Sequence, residues 1–304
     1  MGSDGLISRC IGRLMPFWAI LVHEFRSLSS NWLVRLWLGG SALLTLLVMA
    51  TRWRELPTAP LIAALLVPYL IFPWFLVVML LGISPVTGSR LESLADGILS
   101  RPVTRYEYLI AAWAARVVAV LLVFLLVMVP ASVIVTIAKR PVPEDAVTVF
   151  GIVASLSVAA LVLTFLVSLG FLVGTLVRRS LMAAVVLIFV WLPVNLILHT
   201  FSLEELSPIS LNQALPTLLR TPWRTVSGEK NVVDKQDLDA VARQAARFLS
   251  VLSGEPQVAD RPRAGFFEQR EYKDFCLTRV ALGYGLPTLA AIGLAALCFC
   301  WRDL

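Results

Sequence analysis

The chain has 304 residues, 58% hydrophobic and 15% charged, with a mean hydropathy of +0.82 and a formal net charge of +6. A soluble domain carries about 25% charged residues, so this composition excludes an ordinary soluble fold. The apolar runs lack the polar–apolar alternation of barrel strands, which excludes a β-barrel as well.

Several runs reach roughly 20 residues without a charge, enough to cross about 30 Å of hydrocarbon as a helix. Met1 to Arg35 does not read as a secretory signal. Arg9, Arg13, Arg26 and Arg35 are scattered through it, with no short apolar core and cleavage site. Cys10, Cys276, Cys298 and Cys300 fit no metal spacing, and no disulfide framework is expected.

Segment 1–31 comes first. From Pro16 to Ser30, Phe17, Ile20, Leu21, Glu24, Phe25 and Leu28 follow helical spacing, apolar except for Glu24. Trp18 and Arg26 suit headgroup depth, and Asn31 after Ser29-Ser30 argues for a break. The expectation is an amphipathic helix lying in the membrane interface, rather than the mere start of the first span.

Spans one to five fall within 32–201. Span one runs from about Trp32 to Thr51 and span two from Leu61 to Ile83. A charged island then occupies 84–108. Within it Leu91, Leu94, Ala95, Ile98 and Leu99 recur at near-helical spacing until Pro102, which pushes the preceding residue out of α geometry. The pattern gives a short amphipathic helix presenting Glu92, Asp96, Arg101 and Arg105 to water. A plain solvated loop is the simpler alternative.

Span three covers about Leu109 to Ala138, span four Ala146 to Val177 and span five Ser180 to Phe201. Arg116 lies about two turns inside span three. A charge at that depth marks function by default, but the simpler expectation is that Arg116 snorkels to the headgroups. Gly170 and Gly174 in span four form a Gly-x-x-x-Gly pattern that permits close helix approach. Trp191, Asn195 and His199 make a stripe along span five. It lines a pathway in one reading and a helix interface in the other. Pro68, Pro73, Pro130, Pro193 and Pro287 are candidate kinks.

The loop 202–279 is polar enough to fold outside the membrane, with a helical apolar stripe from Leu238 to Leu252. At this length it does more than connect; a cap and a docking surface for an extracytoplasmic partner both fit. Segment 280–304 holds span six, Val280 to Trp301. Charge bias fixes the orientation: Arg178-Arg179 and the island arginines lie on one side, against Arg52, Arg54, Lys139 and Arg140 in the short loops of the other. Both termini are therefore expected in the cytoplasm. The predicted fold class is an all-α polytopic membrane protein. It has six transmembrane helices, an N-terminal interfacial helix, a short cytoplasmic helix and a large helical loop between spans five and six.

Leu99-Ser100-Arg101-Pro102-Val103-Thr104-Arg105, followed by Tyr108-Leu109, resembles the Leu-Ser-x-Pro-Val-Ser-Arg…Tyr-Leu element of the type-2 ABC exporter permeases. Glu92 stands where that family has a Glu, Asp96 matches an acidic position, and Ser93-Leu94 replaces its Gly-Thr pair. His23-Glu24-Phe25-Arg26 resembles the family's elbow-helix element, and the ending Phe299 to Leu304 its exit from the sixth helix.

The resemblance implies a membrane subunit in a homodimer, coupled to a separate ABC ATPase through Arg90, Glu92, Asp96, Ser100, Arg101, Pro102 and Arg105. His23, Glu24 and Arg26 would belong to the elbow. No phosphate-binding Gly-x-x-x-x-Gly-Lys-Ser/Thr loop occurs, so ATP and Mg are expected in the partner and no cofactor in this chain. The implied location is the bacterial inner membrane, with no nucleic-acid partner. The scarcity of mid-membrane ionisable groups disfavours ion-coupled transport and suits export of a hydrophobic or lipid-like substrate. The alternative is a mechanical relay to an extracytoplasmic partner without a diffusible cargo. A membrane-embedded enzyme fits less well, because the chain has two histidines in total and neither has a carboxylate partner in the core.

Overall fold

Long charge-free runs must satisfy their own backbone hydrogen bonds in lipid, and a helix does so within one segment. The computed structural model describes residues 4–83, 105–141, 145, 147–177, 180–200, 207–220 and 277–301. These form α1 (Asp4–Ser30), α2 (Trp32–Arg52), α3 (Thr58–Leu70), α4 (Trp74–Ile83), α5 (Arg105–Ile137), α6 (Val149–Leu176), α7 (Ser180–Thr200), α8 (Pro208–Leu219) and α9 (Leu277–Trp301). No strand occurs among the described residues. Among the described residues, five helical stretches are long and apolar enough to cross a membrane: Trp32–Arg52, Thr58–Ile83, Tyr106–Ile137, Val149–Leu176 and Leu277–Cys298. The architecture is that of an all-α polytopic membrane protein.

Asn31 makes the first corner. Its side chain caps α2 by accepting from the Leu33 N–H at 3.1 Å, and its own N–H donates to the Leu28 carbonyl at 3.0 Å. Arg35 reaches back to the Ser29 carbonyl at 3.3 Å, which occupies one of the acceptors a helix end leaves open. The expected second span is two helices, with non-helical backbone at Ile71–Pro73. Pro73 cannot donate to the preceding turn, and α4 begins directly after it. Pro130, Pro193 and Pro287 stay inside continuous helices.

α6 is the hub, packing on α3, α4, α5, α7, α8 and α9. Its sequence explains this: Gly151, Ser155, Ala159, Gly170 and Gly174 are all buried, and small residues let helix backbones approach. A Cβ at Gly170 would lie 2.5 Å from the Met79 carbonyl oxygen, and one at Gly174 2.9 Å from that of Ile83. Gly82 mirrors them, 2.6 Å from the Val167 carbonyl oxygen. The remaining core is close-packed, with Trp37, Tyr69, Phe124 and Phe171 essentially fully buried. Phe165 stands between Trp191 of α7 and Tyr284 of α9, with ring centroids 6.0 and 5.6 Å away.

Candidate functional site

The bundle has two ends. One is where α5 begins at Arg105, within the last residues of the charged island. The other holds Asp145 in the connector from α5 to α6.

At the Arg105 end, α1 packs along α5. The helical stripe of α1 decides which face it turns inward. Phe17, Ile20, Leu21, Glu24, Phe25 and Leu28 are all at least partly covered, whereas Trp18, His23 and Arg26 are exposed. Glu24 is therefore a carboxylate on an inward apolar face. α5 meets it with Tyr108, Ala112 and Arg116, four residues apart and so stacked on one side of the helix. Arg116 Nη2 lies 3.5 Å from Glu24 Oε2, and the Tyr108 hydroxyl donates to Glu24 Oε1 at 3.4 Å. Arg116 Nη1 also donates to the Ala112 carbonyl of its own helix. The Arg116 side chain is 3% exposed and that of Glu24 18%. The snorkelling expected for Arg116 is thus not what the fold does. Its guanidinium turns to a carboxylate on α1, because removing an unpaired charge from water costs far more than the bend of one side chain.

The predicted residues divide as follows. Arg90, Glu92, Asp96, Ser100, Arg101 and Pro102 lie outside the described residues, as does the 221–276 part of the outer loop. Arg105 opens α5. Glu24 joins the buried cluster; His23 and Arg26 face away from it. Gly170 and Gly174 form a helix interface inside the chain, between α6 and α4. Trp191 packs on Phe165, which places it in a helix interface too. Asn195 and His199 lie in the last turns of α7. Beside the Arg105 end, the Trp113 indole donates to Ser168 Oγ at 2.9 Å and fastens α5 to α6.

Sequence reasoning missed the Asp145 end. Asp145 Oδ1 accepts from Arg220 Nε at 2.8 Å, and Oδ2 accepts from Arg220 Nη2 at 3.2 Å and from the Ala59 N–H at 3.0 Å. Arg140 donates to the Leu56 carbonyl at 3.1 Å and to Thr58 Oγ1, and its guanidinium lies 5.3 Å from the Trp53 ring centroid. The Thr148 N–H donates to the Leu219 carbonyl at 3.0 Å, and Gly151 packs directly on the Leu219 backbone. One clasp thus holds the start of α3, the start of α6 and the end of α8. Burial pushes the Asp145 carboxyl up, but the Arg220 fork, the Ala59 N–H and the Arg140 charge outweigh it and hold it below the ordinary carboxylate value. Burial draws the Arg140 guanidinium down from its usual value, against the pull of Asp145. The advance signal was slight: Glu144-Asp145 follows Arg140 by a few residues, but no spacing rule pairs Asp145 with Arg220, 75 positions on.

Among the described residues, no group of three His, Cys, Asp or Glu is placed to hold a metal ion. No protein-family model matches the chain, and no curated protein matches it.

Proposed function

We propose that the chain is the membrane subunit of an ABC exporter of the type-2 class. Two copies form the membrane unit, and each carries an ATPase docked on the 84–104 segment. α7 serves as span five and brings the count to six, so that both termini lie in the cytoplasm beneath a bacterial inner membrane. ATP and Mg belong to the partner.

The observation that carries this reading is the Glu24–Arg116–Tyr108 cluster. The 84–104 segment directly precedes α5 in the sequence, and within about three turns of the start of α5 that helix is tied to α1. A displacement of the segment therefore moves α1 and α5 together. A buried ion pair resists separation because parting it leaves an uncompensated charge in apolar surroundings. That is the property a mechanical coupling needs, and the order of the sequence elements, elbow, island and exit, supports the same assignment.

The clasp at Asp145 favours a second output. It fixes Arg220, which leads into the 221–276 part of the outer loop, to the starts of α3 and α6, so motion of the bundle would carry that part and any partner bound to it.

The test is purification of the chain in mild detergent from cells that also express its candidate ATPase. The reading predicts a stoichiometric complex that hydrolyses ATP. A chain that purifies alone under conditions preserving its fold contradicts it.

A further inference from the structure

The corner between α1 and α2 carries positive charge that no carboxylate meets. Glu24 is the one acidic residue in 16–36, and it faces inward onto Arg116. Arg26 and Arg35 are both exposed. Among the described residues, carboxylates pair with Arg52, Arg116 and Arg220, and neither Arg26 nor Arg35 is matched by one. Ser29 links the two. Its hydroxyl donates to the Arg26 carbonyl at 2.9 Å, and its own carbonyl accepts from Arg35 Nε at 3.3 Å. Arg35 is thus bent back from the first turn of α2 toward the end of α1.

The length of α2 sets the depth of this corner. Its 21 residues span about 30 Å, the thickness of the hydrocarbon core. Its far end leads to Trp53, whose ring meets Arg140 at the Asp145 end. The corner therefore stands at the other membrane surface, and the backward reach of Arg35 is a snorkel toward the headgroups. Two tryptophans flank the arginines there: Trp18 is 64% exposed and Trp32 73%. Exposed tryptophan favours that interface. Trp18 and Arg26 share one side of α1, two turns apart, and exposed Leu36 lies one turn beyond Trp32 on α2.

We infer that the α1–α2 corner docks the phosphate of an anionic glycerophospholipid. A guanidinium presents paired N–H donors that match phosphate oxygens, and a basic segment at a membrane surface attracts anionic lipid. The occupant is a lipid because the charge stands among exposed Trp18, Trp32 and Leu36, which an acyl chain covers and a soluble anion leaves bare. Charge complementarity selects the anionic class. A zwitterionic headgroup brings an ammonium as well, and the one carboxylate of the corner is already committed to Arg116. The docked headgroup holds the corner at the membrane surface. The inference rests on the membrane-spanning architecture and not on an ATPase, and its test uses the chain alone.

Purified, delipidated full-length chain in neutral detergent is titrated with dioleoyl phosphatidylglycerol or dioleoyl phosphatidylcholine, and bound lipid is counted by native mass spectrometry. The first phosphatidylglycerol should bind more tightly than the first phosphatidylcholine. Arg26→Gln and Arg35→Gln should each weaken it about fivefold, the effect of one basic residue at a membrane surface, and leave phosphatidylcholine unchanged. Arg52→Gln, whose charge Glu55 already balances, should alter neither. The folded state of each variant is checked by its unfolding transition. Arg35→Gln removes a bond at the helix corner; should it fail to fold, Arg26→Gln, which breaks no side-chain contact, carries the comparison. Inorganic phosphate at the same concentration should not displace the lipid. Equal binding of the two lipids overturns the inference, as does a phosphatidylglycerol preference that persists unchanged in folded Arg26→Gln. Displacement by inorganic phosphate would make the corner a plain anion site and overturn it too.

Discussion

Arg116 sits about three turns inside α5 with 3% of its side chain exposed, and Glu24 is the carboxylate that meets it. Removing one member strands the other, which costs about 3–5 kcal/mol when the pair is buried. Arg116→Met should therefore destabilise the chain strongly. Glu24→Leu combined with Arg116→Met should recover most of the loss, because both charges then leave together. A double-mutant cycle on unfolding in detergent measures this, and additive losses would refute the pairing. Asp145 offers a test by acid. Its carboxyl is held below the ordinary value in the folded state, so its contribution is present above the unfolded value of about 4 and is lost as pH falls through the lower, folded one. The unfolding midpoint of the wild type should drop more steeply below about pH 4 than that of Asp145→Asn, and the variant should already be weaker at neutral pH. At this scale the sequence was half legible. Glu24 stood out as the polar member of an apolar stripe, and Arg116 as a charge inside a span. What joins them is the packing of α1 on α5, 92 positions apart, which no local pattern encodes. The same holds for Asp145 with Ala59 and Arg220.

The helices themselves were plainly written in the chain. Apolar runs of this length have one stable backbone solution in lipid, and the break at Asn31 follows from its capping side chain. The interruption at Ile71–Pro73 was signalled by Pro73 as a kink, but its depth was not. α8 went unnoticed because its 12 residues are too short for a span and were absorbed into a polar loop. Gly-x-x-x-Gly is ambiguous in sequence between a contact within one chain and one between two copies. The structure uses Gly170 and Gly174 internally, on α4. Gly170→Ala would press a methyl to 2.5 Å from the Met79 carbonyl oxygen, while a Cβ at Gly293 meets nothing within 4 Å. Gly170→Ala should cost about 1–3 kcal/mol by overpacking. Gly293→Ala should be neutral or mildly stabilising, since Ala is the better helix former. Equal effects of the two on detergent unfolding would contradict the α4–α6 contact.

For the molecule as a whole, the proposed orientation puts the Arg105 end in the cytoplasm and the Asp145 end outside. In spheroplasts of a variant cleared of its native cysteines, a cysteine at Lys139 should react with an impermeant maleimide, and one at Arg178 should react only after the membrane is opened. The reverse pattern would invert the topology. The central claim is that force enters through the charged island and passes to α5 and α1. The most direct test exchanges the island's acidic groups for basic ones, Glu92→Lys with Asp96→Lys, and measures how much ATPase subunit co-purifies with a chain that still unfolds like the wild type. The account predicts loss of the ATPase; a full complement of bound ATPase in that double variant would contradict it.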